Sequence, residues 1–280
     1  MLGVTTIPGV STMTHDVRRA LPLVLFAIAL AGCGRSAHVA GTTTTAPVRT
    51  TVAGATPSFA AARTATTAAG TVEFSLTIKA VVAGSTVEAG ENGTVSFRGR
   101  RAHLYKQIPG STVPEELVLI GPFTYTNANV QAALSDPTVK PWTKLDTRRL
   151  TAKERQSEPD ELAHVVAPAY LADGVAAAKR TGAGPNGTTR FIGVVDPARL
   201  ARRVPASVRA PIETAVRNDY AVKAFPATFW LDSKSRIRRV LVDYKTPQGT
   251  QITVDTSYSS FGAKIDVALP AAGDIKDITP

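Results

Sequence analysis

The chain has 280 residues, with 32 Lys and Arg against 22 Asp and Glu, four His and one Cys. One cysteine excludes an internal disulfide and a cysteine-rich zinc or iron–sulfur site. A composition that is 44% apolar and 19% charged excludes a wholly disordered or fibrous chain, and the length suits one large domain or two small ones.

The first element is an address. Arg18 and Arg19 precede an apolar stretch, Ala20 to Gly32, that is too short to span a bilayer as a helix. Basic residues, a short hydrophobic body and small residues before a cut describe an export signal. The stretch ends in Leu30-Ala31-Gly32-Cys33, which resembles the lipobox of bacterial lipoproteins. That resemblance implies cleavage before Cys33 and diacylation of its thiol. One acyl chain anchors only marginally, at about 0.8 kcal/mol per buried CH₂, so two chains are what hold such a protein to a membrane.

Residues 1–32 thus read as a signal peptide and 33–58 as a tether of Thr, Ala, Gly and Pro, with four consecutive threonines at Thr42–Thr45. Such a segment has too little apolar surface to offset its ordering entropy. Its end, Ser58–Ala69, is rich enough in alanine for a weak helix. Residues 59–280 read as the folded domain.

From Thr71 the period is two. Val72, Phe74, Leu76, Ile78, Ala80 and Val82 share one side of a long half-buried strand, with Glu73, Ser75, Thr77 and Lys79 on the other. Further strands are expected over Thr94–Arg98, Ala102–Ile108, Leu117–Ile120 and Phe123–Thr126. Helical patches follow near Ala128–Leu134 and Pro159–Gly174. Val175–Ala183 and Thr188–Val195 flank the turn Gly184-Pro185-Asn186-Gly187. Asp196-Pro197 opens a helix as N-cap and first helical residue, and Pro205 ends it before a second piece, Ser207–Asn218. Ala227–Leu231, Ile237–Tyr244 and Thr250–Ser257 close the chain as three strands with short connections. The predicted fold class is α+β: an antiparallel meander with helices packed on one face. The small residues Ala163, Ala167, Ala169 and Ala172 leave two readings open, a cavity between helix and sheet or a fully closed core.

Signatures of catalysis are missing from the sequence. It has no Gly-x-Ser-x-Gly elbow and no His-Glu-x-x-His pair, and His38, His103 and His164 lack metal-ligand spacing. The glycines from Gly182 to Gly187 are followed by a strand instead of the Lys-Ser/Thr and helix that a phosphate loop needs. The reading is a non-enzyme with no cofactor and no metal. Arginines cluster at Arg98, Arg100 and Arg101, at Arg199, Arg202 and Arg203, and at Arg236, Arg238 and Arg239. On an exported chain these leave two readings open, attraction to anionic lipid headgroups or a solvated basic face without a partner, and nucleic acid is not among them.

The anchor, tether and meander together resemble the actinobacterial lipoproteins of the LppX/LprA/LprF/LprG type, whose fold is similar to the LolA/LolB half-barrel. The matching stretches are Leu117–Tyr125, Lys140-Pro141-Trp142-Thr143-Lys144-Leu145-Asp146, Gly187 to Asp196, Trp230-Leu231-Asp232, and Phe261-Gly262 with Pro270. The resemblance spans roughly residues 59–280. It implies a curved antiparallel β half-barrel with helices on its concave face. It also implies binding, carriage or presentation of acyl lipids or glycolipids at the outer, extracytoplasmic face of the cell membrane. Only Cys33 is carried over by motif.

A 16-carbon chain leaving a bilayer forfeits about 12 kcal/mol at 0.8 per CH₂, which demands an enclosed apolar tunnel. Inward strand positions supply the expected lining: Phe74, Leu76, Ile78, Val118, Ile120, Tyr125, Phe229, Leu231, Ile252 and Val254. A second reading on the same fold is an envelope sensor or regulatory lipoprotein acting through a protein partner.

Overall fold

The computed structural model describes residues 58–280, except 83, 128, 158–159, 220–223 and 247–248. The signal, Cys33 and the tether as far as residue 57 lie outside the described residues. Helix α1 (Phe59–Ala68) leads into β1 (Thr71–Val82), β2 (Ser85–Ser96), β3 (Arg101–Gln107), β4 (Glu115–Ile120) and β5 (Phe123–Thr126). Then come α2 (Val130–Ser135), β6 (Trp142–Asp146), α3 (Ala152–Ser157) and α4 (Glu161–Gly174). The second half holds β7 (Val175–Ala183), β8 (Thr189–Val195), α5 (Pro197–Arg203), α6 (Arg209–Asp219), β9 (Phe225–Leu231), β10 (Ile237–Lys245), β11 (Gln251–Ser259) and β12 (Ile275–Asp277).

All twelve strands form one curved, unclosed sheet in the order β12-β6-β5-β4-β3-β2-β1-β11-β10-β9-β8-β7. Every pairing is antiparallel except β12 with β6. The expected α+β class and antiparallel meander are therefore what the chain adopts. The centre is β1 against β11, where Phe74 faces Tyr258, Leu76 faces Thr256, Ile78 faces Val254 and Ala80 faces Ile252. Direct partners in a ladder share a face, so one apolar row crosses the middle of the sheet. It continues through Val240 and Val242 of β10 to Phe229 and Ala227 of β9.

Local chemistry starts the helices. The Ser58 side chain accepts from Ala61 N at 3.3 Å and Asp160 accepts from Ala163 N at 3.2 Å. Asp196 caps α5 through Ala198 N at 2.8 Å, with Pro197 at the first helical position where a missing N–H costs nothing. Helix α4 continues through Pro168.

Three elements escape the sequence pattern. The first half of β2, Ser85–Gly93, carries Gly90, Asn92 and Gly93 and no apolar run, yet pairs with β1 along its whole length. Gly93 has φ 151° and sits opposite Leu104; a Cβ there would lie 2.0 Å from the His103 carbonyl oxygen. Glycine is what lets the two backbones approach. Strand β6 lies in a stretch that resembles the family but carries no strand expectation of its own, and β12 is a three-residue strand held by its parallel pairing. Both outer edges are blunted: β7 carries two register shifts with Lys179 and Arg180, and β12 is short and charged.

Candidate functional site

The apolar row is roofed by helices. On α1, the Phe59 ring packs edge-on against Phe191 at 5.9 Å and Phe229 at 5.1 Å. The Thr66 hydroxyl accepts from Ile237 N at 2.8 Å while donating to Ala62 O at 2.8 Å. Helix α4 crosses the same face. The Tyr258 hydroxyl donates to Val165 O at 3.3 Å, and burial pushes that phenol well above its ordinary range. At the far end of α4, Asp173 accepts from Arg63 Nε on α1 at 3.1 Å. Burial raises Asp173, and Arg63 only partly offsets it.

Helix α4 is buried almost all round, because it packs on the sheet and against α1, α5 and α6 as well. The alanines at 163, 167, 169 and 172 are all buried. Small side chains let these helix axes come close, so the packed helices use the alanines that also suited a cavity.

The start of α4 is held by charge. Lys106 of β3 donates to Glu161, and His164 Nε2 lies 3.6 Å from Glu91 Oε2 on β2. Glu91 and Lys106 face each other across the ladder, both buried. Burial alone would lower the Lys106 ammonium, but Glu161 and Glu91 outweigh it and hold the group above its ordinary value. Sequence reasoning missed this cluster. The one available signal was a lysine and a glutamate at inward positions of otherwise apolar strands.

The opposite face is closed differently. After β11 the chain turns, with Gly262 N donating to Thr71 O and the Thr71 hydroxyl donating to Ala263 O at 2.5 Å. Arg101 donates to Ile265 O at 3.3 Å, and the chain then reaches β12 beside β6, where Lys140 Nζ donates to Ile275 O at 3.1 Å. Between these fixed points residues 263–274 form a strap across β3, β4 and β5. Arg101, Ile120 and Phe123 are ladder partners, as are His103, Val118 and Tyr125, so the strap lies on the face of those side chains. Val118 is 1% exposed and Tyr125 8%.

The ten expected lining residues divide accordingly. Phe74, Leu76, Ile78, Phe229, Leu231, Ile252 and Val254 share the helix-covered face; all but half-buried Ile78 are fully buried. Val118, Ile120 and Tyr125 lie on the strap-covered face, so the ten do not line one cavity. The physical reason is that β4 reads Leu117-Val118-Leu119-Ile120, apolar on both sides, and such a run has no alternation to say which residue points where.

At the hairpin end of β1 and β2 the apolar row runs past the fully buried stretch. Ile78 faces Ala89 and Ala80 faces Val87; Ile78, Val82, Val87 and Ala89 are all half-buried. A separate cleft of about 170 Å³ lies between the start of α1, the start of β7 and α5, and Arg199 and Arg203 are among its walls. Among the described residues no group of three or more His, Cys, Asp or Glu could hold a metal ion, and no helix is long and apolar enough to cross a membrane.

No family model matches the chain, and no curated protein matches it. Solved structures similar to it include a LolA superfamily protein from Nitrosomonas europaea, 8% identical over 70% of this chain and 88% of that one, with a TM-score of 0.32. A second is Pseudomonas aeruginosa MucB in its complex with MucA, 11% identical over 74% of this chain and 59% of that one, at 0.30. A third is a DUF1329 family protein from Desulfovibrio piger, 9% identical over 77% of this chain and 96% of that one, at 0.26. The fold assignment rests on this chain's own strand order and register.

Proposed function

We propose that this chain is a cell-envelope lipoprotein, anchored through Cys33 on the extracytoplasmic side of the membrane, whose domain binds and carries or presents an acyl lipid or glycolipid without catalysis. One observation carries the reading: the helix-covered face is apolar from β9 to β1, and at Ile78, Val82, Val87 and Ala89 it extends beyond its buried part. A half-covered apolar end on a roofed sheet offers an acyl chain a place to enter between helix and strand. The resemblance of residues 59–280 to the LppX/LprG-type lipoproteins, with their LolA-like fold, supports the same assignment. So does the lipobox at Leu30–Cys33.

The test uses the Cys33→Ser form of the full chain, purified from a lipid-containing host and read by native mass spectrometry. A stoichiometric acyl lipid that is lost when Ile78 and Ala89 are changed to Trp is the expected result. A folded, empty protein that also refuses added glycolipid overturns the carrier reading. Mass analysis of the wild-type chain should find a diacylglycerol adduct on Cys33, and an unmodified Cys33 rejects the anchor.

A specific observation favours a second reading, a sensor acting through a protein partner. On the other face, Ile192 and Val194 of β8 are 38% and 52% exposed, with exposed Pro226 beside Val194. Single exposed apolar residues are ordinary on a surface, but three neighbours make a patch.

A further inference from the structure

We propose that the cleft between α1, β7 and α5 is a binding site for a phosphate group. Part of its lining is small and apolar, from Ala172 and Val175 to Ala178. The same lining holds Arg199 and Arg203, four residues apart and so on one side of α5. The Nε of Arg199 is shielded from solvent and has no hydrogen-bond partner. A guanidinium cannot shed its proton to relieve that state, and a buried donor left unmade costs stability. Buried polar groups in folded proteins almost always have partners, which marks this one as waiting for an acceptor.

The other donors at the cleft fit the same acceptor. Ser58 opens the site with its hydroxyl, and the first-turn amides of Phe59 and Ala60 have no acceptor within their own ten-residue helix. Two guanidiniums and a helix start suit a tetrahedral oxyanion with several lone pairs. One nearby carboxylate, Asp173, feels Arg203 but is already bonded by Arg63 at 3.1 Å. At about 170 Å³ the space falls below the roughly 300–1,000 Å³ that encloses larger ligands, so it takes a headgroup and not an acyl chain. Ser58 lies where the segment leading back to Cys33 joins the domain. The phosphate comes from a lipid headgroup or from a soluble ester, and the site itself goes beyond the acyl-binding reading.

The experiment compares the Cys33→Ser full chain with the same chain carrying Arg199→Met. Titrated with inorganic phosphate against chloride at matched ionic strength, the first should show a saturable rise in its thermal midpoint. Affinity should fall at least about tenfold in Arg199→Met, the loss of one hydrogen bond to a charged group. The midpoint without phosphate should not drop, since the methionine removes an unmet donor. Should that variant fold poorly, Arg203→Ala, an exposed position, carries the same comparison. Absence of a saturable effect beyond chloride, or an equal effect in a folded variant, overturns the site.

Vesicles of phosphatidylglycerol and of phosphatidylcholine then separate the sources. Binding to phosphatidylglycerol that free phosphate competes away assigns a headgroup, and phosphate binding without vesicle binding assigns a soluble ester. Acyl-lipid content by mass spectrometry is read in parallel. If phosphate binding fails while bound lipid persists, the site is wrong and the carrier reading stands. The opposite pattern keeps the site and rejects the carrier.

Discussion

The helix-covered and strap-covered faces bury similar side chains by different means. Over the first, α1 and α4 meet β8, β10 and β2, and α4 is packed in turn by α1, α5 and α6, so its contacts are supported by further helices. Over the other, one extended segment is pinned at Thr71, Arg101 and β6. A layer of helices shares its burial among many mutually dependent contacts. A strap depends on a few fixed points, and segments of that kind supply the low-energy openings of a fold. The difference predicts where the domain loosens first.

The largest effect should come from removing the strap. Deleting residues 264–280 exposes Val118 and Tyr125 and removes the buried Ile265. At about 1.5–3 kcal/mol for each of these three side chains that loses its burial, the loss is roughly 4.5–9 kcal/mol. Urea unfolding of the Cys33→Ser chain measures it. A truncated chain as stable as the parent would mean that the strap is an ornament.

On the helix face the comparable change is Lys106→Met, which removes the cation that Glu161 and Glu91 share and leaves Glu91 with His164 at 3.6 Å. Breaking a buried pair from one side costs about 3–5 kcal/mol. The exposed pair Lys79–Glu88, at 3.0 Å on the β1–β2 hairpin, is the control, with Lys79→Met expected to cost under about 1 kcal/mol. Equal losses at the two sites would show that the cluster at the start of α4 does not hold that helix down. Tyr258→Phe is smaller, about 1 kcal/mol for one buried hydrogen bond to Val165 O. The ring remains packed, and a loss as large as that of Lys106→Met would mean that the hydroxyl holds more of α4 than one carbonyl.

The two faces also explain what the sequence makes legible. Strand β1 alternates because one side meets helices and the other meets solvent, and its bounds, Thr71–Val82, follow from period two alone. Helix α5 and the turn before β8 are announced by Asp196-Pro197 and by Gly184 to Gly187. Strand β4 is buried on both sides, so its pattern is a run without phase, and Val118 and Ile120 cannot be placed from it. The first half of β2 is a strand because of its neighbours, not its own residues. The strap's course depends on bonds 164 and 192 residues apart in sequence, Arg101 to Ile265 and Thr71 to Ala263. The proposed anchor is the reverse case, legible from four residues without any fold.

The smallest predicted effect sharpens the comparison most, because it is confined to the strap's end. Lys144 donates to Asp277 at 2.9 Å, and with the Thr279 contacts this holds the Asp277 carboxyl well below its ordinary value of 3.8. A carboxylate depressed in the folded state adds stability that is present above the unfolded value and lost as pH falls through the folded one. Docking of β12 on β6 should therefore be unchanged from neutral pH down to about 4 and weaken progressively below that. The helix face has the opposite sign at Asp173, whose raised value favours the folded state below 3.8 and gives up that advantage as pH rises through it. Acid should thus open the strap before the roof. Hydrogen exchange read at residues 275–279 and at α4 between pH 5 and pH 3 tests the order. In Asp277→Asn the protection of the strap end, taken relative to the intrinsic exchange rate at each pH, should no longer fall with acid, whereas acid-induced opening of α4 first, with residues 275–279 still protected, would reverse the assignment of the weaker face.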